Sequence, residues 1–343
     1  MKILGIESSC DDTSIAIIDN KKNVIVNETL SQNSIHRKFK GIVPELAARN
    51  HVIYIDKILK NALEKKSLSL NDISLIAATA GPGLIGGLLV GLTFAKTLSQ
   101  ANNIPFIAVN HLEGHALTAR LTEDLNYPFL LLLVSGGHTN FYFIDNVNDY
   151  HYMGGTLDDA LGEAYDKVAN ILDLGFPGGP LIERLASEGD FSKVILPKPL
   201  INSNNLNLSF SGLKTAVLNL KIKSENNPLI SNADIAACFQ KSISDILCRK
   251  MSLAIDLCEK NSFKFQNVVI AGGVAANKYL RTNLQNTVNK KKKKIYLPPI
   301  HLCTDNGAII AWAGYELYNL GIESKLDVKA KPRWPLENLR KIK

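Results

Sequence analysis

The strongest constraint on the fold of this chain is a plan that it uses twice. Near the amino terminus two apolar stretches, Ile3-Leu4-Gly5-Ile6-Glu7 and Ser14-Ile15-Ala16-Ile17-Ile18, flank the polar turn Ser8-Ser9-Cys10-Asp11-Asp12-Thr13. Further on, the apolar residues 129–134 and residues 140–144 flank Ser135-Gly136-Gly137-His138-Thr139. Such runs, bounded by small polar residues, read as strands joined in hairpins. Two hairpins of one design, each opening one half of the chain, predict an α/β protein built from a duplicated domain, with both turns facing a central cleft. At 343 residues the chain also exceeds the size at which one core stops growing. The expected division is an N-terminal domain over 1–128, carrying a histidine pair, and a C-terminal domain over 129–343. The latter has an irregular insert near 190–230 and a last helix that closes the cleft.

Composition narrows the class of function. The hydrophobic share of 46% and charged share of 21% are those of a globular protein. A net charge of +7 suits an anionic partner such as RNA or a nucleotide. The five cysteines form no Cys-x-x-Cys pair, which argues for free thiols in a reducing cytosol rather than a thiolate zinc site or disulfide framework. The uncharged run over 75–95 is broken by Gly81-Pro82-Gly83 and is not a membrane span. Met1-Lys2-Ile3-Leu4 enters a strand with no basic leader or apolar signal core, so the expected setting is a bacterial cytoplasm.

The chemistry concentrates at Asn110-His111-Leu112-Glu113-Gly114-His115. Two imidazoles four residues apart share one side of a helix and can point at one metal ion; a capped or hydrogen-bonded surface pair is the alternative. Glu113 lies roughly 200° around the helix from His111 and cannot be the base of a His-Glu-x-x-His protease. Upstream, Gly81-Pro82-Gly83-Leu84-Ile85-Gly86 spells a dinucleotide loop, but no acidic residue closes the following strand. Gly83, Gly87, Gly91 and Ala95 instead give one helix face without bulk, open to close approach by this chain or by a partner.

Other candidates are local. Asp11 and Asp12 sit on a turn able to hold phosphate oxygens or order a cation. Gly136 and Gly137 let backbone approach a phosphate or acyl-phosphate, or make an ordinary hairpin turn. Residues 158–173 read as a helix carrying Glu163, Asp166 and Lys167, and 233–260 as a long helix. Gly272-Gly273-Val274-Ala275-Ala276-Asn277 turns a buried strand into a helix, a join suited to a flat base or ribose. The five lysines of 290–294 are either a solvated loop or a phosphate contact. Asp305, at the start of the last helix, is an N-cap or a metal carboxylate.

Taken in order, Gly5-Ile6-Glu7-Ser8-Ser9-Cys10-Asp11, Val43-Pro44-Glu45-Leu46-Ala47, Thr79-Ala80-Gly81-Pro82-Gly83-Leu84, the His111 and His115 pair, Leu133-Val134-Ser135-Gly136-Gly137-His138-Thr139, Phe210-Ser211-Gly212-Leu213-Lys214-Thr215, Ala271-Gly272-Gly273-Val274 with Asn277, and Cys303-Thr304-Asp305-Asn306-Gly307 resemble the tRNA threonylcarbamoyladenosine transferases over nearly the whole chain. The resemblance implies an actin-like (ASKHA) fold, two duplicated ribonuclease-H-like domains around a nucleotide cleft. It implies one divalent metal ion, Fe2+ in preference to Zn2+, on His111, His115 and Asp305. It implies that Leu133, Val134, Ser135, Gly136, Gly137, Asp166, Gly179 and Asn277 bind threonylcarbamoyl-AMP. Glu183 stands where many relatives carry aspartate at the ribose. The implied reaction transfers the threonylcarbamoyl group to the adenosine 3′ of the anticodon in tRNAs reading codons that begin with A, releasing AMP. The metal would act as Lewis acid and template, the glycine turn would hold oxygens where charge develops, and Asp11 or Asp12 would deprotonate or orient the amine. Implied partners are tRNA, an inactive paralogue and a small ATPase to which ATP and Mg2+ belong. A non-catalytic scaffold paralogue, an actin-like small-molecule kinase and a metal-dependent protease are the competing readings.

Overall fold

The computed structural model describes residues 1–225 and 229–341. Two sheets carry the chain. The first contains β1 (Lys2–Glu7), β2 (Thr13–Asp19), β3 (Val24–Leu30), β4 (Leu75–Gly81) and β5 (Phe106–Asn110) in the order β3-β2-β1-β4-β5. The second contains β6 (Phe129–Val134), β7 (Thr139–Asn146), β8 (Asp149–Gly155), β9 (Asn267–Ala271) and β10 (Lys294–Tyr296) in the order β10-β9-β6-β7-β8. Substituting the strands one for one gives the same sheet twice. β1 pairs antiparallel with β2 and parallel with β4, which is parallel to β5; β6 pairs antiparallel with β7 and parallel with β9, which is parallel to β10. The duplication expected from the two hairpins is thus a duplication of the whole strand order.

The chain divides into one unit of residues 1–125, 146–150 and 298–343, and another of 126–145 and 151–297. This corrects the expected single boundary after residue 128, because the last helix belongs with the first sheet. The helix Gly307–Asn319 lies directly on β1, β2 and β4. Three glycines make that approach possible. A Cβ on Gly5 would stand 2.0 Å from Gly307 O, one on Gly307 2.5 Å from Ala16 N, and one on Gly314 2.4 Å from the Ala77 Cβ. Ala308 to Ala313 are buried, and Ser14 Oγ accepts from Gly307 N at 2.9 Å. The basic aromatic tail also belongs to this unit: Lys331 N donates to Ala80 O at 2.7 Å, and the Trp334 carbonyl accepts from Asn110 Nδ2 at 2.8 Å.

The bulk-free face of the helix Ile85–Asn102 is filled by the chain itself, so it is not open to a partner. A Cβ on Gly87 would stand 2.2 Å from Ser8 O, one on Gly91 2.1 Å from Ser8 Oγ, and one on Gly86 2.7 Å from the Ala48 Cβ of the helix Pro44–Lys65. In the second unit, the polar stretch before Phe210 is irregular but anchored. Lys250, fully buried on the helix Asn232–Lys260, donates to Ser203 Oγ at 2.6 Å and Asn205 O at 2.7 Å. The expected insert ends in the helix Ser211–Glu225, and its residues 226–228 lie outside the described residues. In the lysine run, Lys291 pairs with Asp256 at 2.6 Å and Lys293 with Glu259 at 3.0 Å, both acids being on the Asn232–Lys260 helix. Among the described residues no helix is long and apolar enough to cross a membrane.

Candidate metal centre and substrate-binding turns

The parallel strands β1, β4 and β5 end together, and the first unit's polar residues gather at that end. Glu7 closes β1, Thr79 lies near the end of β4, and β5 runs straight into the helix His111–Thr122. Asn110 caps that helix, its side chain accepting from Leu112 N at 2.9 Å. The cap fixes where the first turn begins and so where His111 points. His115 follows one turn later, its ring edge-on to that of His111 with centroids 4.8 Å apart.

Asp305 completes the group. Its Oδ1 lies 3.1 Å from His115 Nε2 and 3.5 Å from His111 Nε2. It is carried there by the Gly307–Asn319 helix, which is N-capped by Asn306 rather than by Asp305, leaving the Asp305 carboxylate for the imidazoles. One ligand atom from each of the three residues lies within 4.8 Å of the other two.

Behind His111 stands a residue that sequence reasoning treated only as strand. Glu7 is fully buried, and its Oε2 lies 2.9 Å from His111 Nδ1. Ser9 N donates to its Oε1 at 2.5 Å and Thr79 Oγ1 to its Oε2 at 2.6 Å. A carboxylate only accepts, so His111 Nδ1 carries a hydrogen and Nε2 is the nitrogen that faces Asp305. The signal available in the sequence was a charged residue at the end of an otherwise apolar strand.

The electrostatics suit a cation. Burial disfavours the charged imidazole, yet the Glu7 and Asp305 carboxylates overcome it and raise His111 to about 9. Burial likewise works to raise Glu7 and Asp305, but the imidazole charge outweighs it and holds both carboxyls low. On the neighbouring turn, burial first and then the negative charge of Asp11 and Asp305 raise Asp12 to about 7. Burial and Asp305 raise Asp11 as well. Two imidazole nitrogens and a carboxylate oxygen, amid an excess of carboxylates, are a donor set that fits a divalent transition metal. The buried Nδ1 of His115 has no hydrogen-bond partner among the described residues.

Glu113 is buried and accepts from the Tyr150 hydroxyl at 2.7 Å, away from Asp305, as expected from its angle on the helix. The glycine-rich loop holds no free phosphate cradle. Gly83 N donates to Pro332 O and Leu84 N to Ser9 O, and a Cβ on Gly83 would stand 2.4 Å from Ser9 O.

The second unit holds the other candidates. Leu133 and Val134 are buried at the end of β6, and Ser135, Gly136 and Gly137 form the turn into β7. Ser135 N donates to His138 O at 2.8 Å, and Ser135 Oγ accepts from His138 N at 3.1 Å. A Cβ on Gly136 or Gly137 would meet nothing within 4 Å, so both backbones are accessible. Strand β9 ends beside β6, pairing Leu133 with Ala271. Gly272, at φ +97°, then passes so close that a Cβ would stand 2.4 Å from Val134 O. Asn277 caps the helix Lys278–Lys290, accepting from Leu280 N at 2.9 Å while donating to Gln240 Oε1 at 2.9 Å. Glu183 accepts from Lys278 N at 2.7 Å, and Asp166 from Gly178 N at 2.7 Å, at the start of the helix Gly178–Ala186 on which Gly179 is open. These residues are thus tied to one another through β6, β9 and the helix starts beside them.

Comparison with known proteins follows the same lines. A family profile described as tRNA N6-adenosine threonylcarbamoyltransferase matches residues 23–312. Curated proteins of that name from Rickettsia rickettsii (strain Sheila Smith) and Rickettsia bellii (strain OSU 85-389) are 53% and 54% identical. The first aligns over 99% of both chains, the second over 98% of this chain and 99% of its own. Among solved structures, full-length HypF in its phosphate- and nucleotide-bound form matches with a TM-score of 0.61 at 12% identity, over 95% of this chain and 47% of HypF. Component A of Acidaminococcus fermentans (R)-2-hydroxyglutaryl-CoA dehydratase matches with a TM-score of 0.53 at 17% identity, over 94% of this chain and all of that one. At such identities the structures speak to the fold alone, and it is the actin-like ATPase fold.

Proposed function

Since the chain belongs to the tRNA N6-adenosine threonylcarbamoyltransferase family, we propose that it transfers the threonylcarbamoyl group of threonylcarbamoyl-AMP to the adenosine 3′ of the anticodon in tRNAs reading codons that begin with A. A bond forms between the adenosine N6 and the carbamoyl carbon, the bond from that carbon to the phosphate oxygen breaks, and AMP leaves. The observation that carries the site assignment is the convergence of His111, His115 and Asp305, with Glu7 holding His111 from behind.

His111, His115 and Asp305 hold the divalent ion, Fe2+ in preference to Zn2+, which when bound supplies Lewis-acid polarisation and a template for the threonylcarbamoyl moiety. In the second unit, Leu133 to Gly137 offer backbone to acyl and phosphate oxygens, with Asp166, Gly179, Glu183 and Asn277 as adenylate contacts. The weakly nucleophilic N6 amine loses its proton to Asp12, which burial and neighbouring charge raise to about 7, a value suited to a base working near neutrality, or to Asp11, which burial and Asp305 also raise. The chain works in the bacterial cytoplasm with an inactive paralogue and a small ATPase that uses ATP and Mg2+.

The test is to map labelled threonine on unmodified tRNAs after reaction with the purified chain, its companions, bicarbonate, ATP and the adenylate-forming enzyme. Label at the adenosine 3′ of the anticodon, confined to tRNAs for codons beginning with A, is expected. Label elsewhere or in all tRNAs would refute the substrate assignment.

A further inference from the structure

His51 is a fully buried histidine outside the metal group, and both its nitrogens are engaged. Nε2 lies 3.0 Å from the carbonyl oxygen of Cys10, and Nδ1 lies 2.7 Å from Thr13 Oγ1. A carbonyl can only accept, so Nε2 carries the hydrogen, and Nδ1 accepts from the Thr13 hydroxyl. This tautomer is the neutral one, and burial lowers the pKa of His51, which keeps it so. The ring therefore touches the Ser8–Thr13 turn at two points, the residue before Asp11 and the residue after Asp12.

The remainder of the turn is also fastened, but by other parts of the fold. Ser8 Oγ donates to Gly87 O at 2.9 Å, Ser9 N to Glu7 Oε1, and Leu84 N to Ser9 O at 2.7 Å. Those bonds hold residues 8 and 9. At the acidic tip Ser31 hydrogen-bonds the Asp12 carboxyl and Thr13 pairs with Leu30 of β3, while His51 bridges the residue before Asp11 to the residue after Asp12. The ring itself is fixed by close packing, since a Cβ on Gly87 would stand 3.0 Å from its Nε2.

We propose that His51, with Thr13, is a positioning clamp that sets the Asp11-Asp12 tip for transfer, acting through the two acids and touching no substrate. The inference rests on the proposed role of Asp11 and Asp12 in handling the N6 proton. A clamp of this kind contributes by pre-orienting the acid, an effect that shows in kcat rather than KM.

The test is a mutant cycle in the reconstituted complex with tRNA. His51→Gln can place its amide NH2 where Nε2 donates to the Cys10 carbonyl, but has no atom at the place of Nδ1 to accept from Thr13 at the same time. It is expected to lower kcat about tenfold, with KM for tRNA and bound metal within about twofold of the parent. Thr13→Val is expected to reproduce much of that loss, and Thr13→Ser, which restores the hydroxyl, to recover it. In an Asp11→Asn, Asp12→Asn background, adding His51→Gln is expected to change the residual rate by less than about twofold. An equal loss in both backgrounds overturns the clamp's action through the acids. Hydrogen exchange separates the two failures. Exchange at the Asp11 and Asp12 amides faster in His51→Gln and Thr13→Val supports the clamp, and unchanged exchange overturns it whatever the rates. Faster exchange with wild-type transfer in the double Asn variant instead refutes the role assigned to the acids.

Discussion

Glu7 Oε2 stands 2.9 Å from His111 Nδ1, a carboxylate at the end of β1 gripping an imidazole on the helix that follows β5. The contact joins two strand ends 104 residues apart in the chain and decides which nitrogen of His111 faces Asp305. Outer carboxylates of this sort orient a ligand and raise its basicity. Glu7→Gln, which leaves the volume almost unchanged, is therefore expected to weaken metal binding about 10- to 100-fold. Titration with Co2+ or Zn2+ against a chelator of known affinity reads this; unchanged affinity would mean that Glu7 has only a packing role.

The position of Asp305 depends on glycine. With a Gly5 Cβ only 2.0 Å from Gly307 O, Gly5→Ala forces the last helix off the sheet and moves Asp305 with it. Overpacking at such a site costs about 3 kcal/mol. Denaturant unfolding should show that loss, and metal affinity should fall with it. A variant as stable as the parent would contradict the packing described here.

A part of this was legible in the sequence and a part was not. The repeated hairpin was visible because strand alternation and a small polar turn are local, and it foretold the doubled sheet order. The His111 and His115 spacing was visible because a helix converts four residues into one face. The return of Asp305 to the first unit was not, since it depends on Gly5, Gly307 and Gly314 meeting backbone far away in the chain. Glu7 was missed for the same reason: its partners Thr79 and His111 come from two other strand ends. The bulk-free helix face was recognised, but what covers it, the Ser8 turn and the helix Pro44–Lys65, is a matter of tertiary contact.

The pH dependence of transfer follows from Asp12. Burial and neighbouring negative charge raise it to about 7, and one of its oxygens is buried without a hydrogen-bond partner among the described residues. As the proposed base it would work deprotonated, so kcat/KM should fall as pH drops through an acid limb centred at or below about 7, a bound dication pulling it down. Asp12→Asn should remove the limb along with most of the rate. The same shift acts on stability in the opposite sense. A carboxyl raised in the folded state gives stability that is complete below its unfolded value near 3.8 and lost as pH rises through about 7. Asp12→Asn should therefore melt higher than the parent at pH 8 and not at pH 4. An unchanged acid limb would remove Asp12 from the mechanism.

The central claim is that His111, His115 and Asp305 form a metal centre on which transfer depends. The most direct measurement compares wild type with His111→Ala in the reconstituted reaction on unmodified tRNA, with metal content determined on the same samples. The expected result is label beside the anticodon with wild type, and loss of both bound metal and label with His111→Ala in a protein that remains folded. Wild-type labelling by a folded His111→Ala variant would contradict the claim.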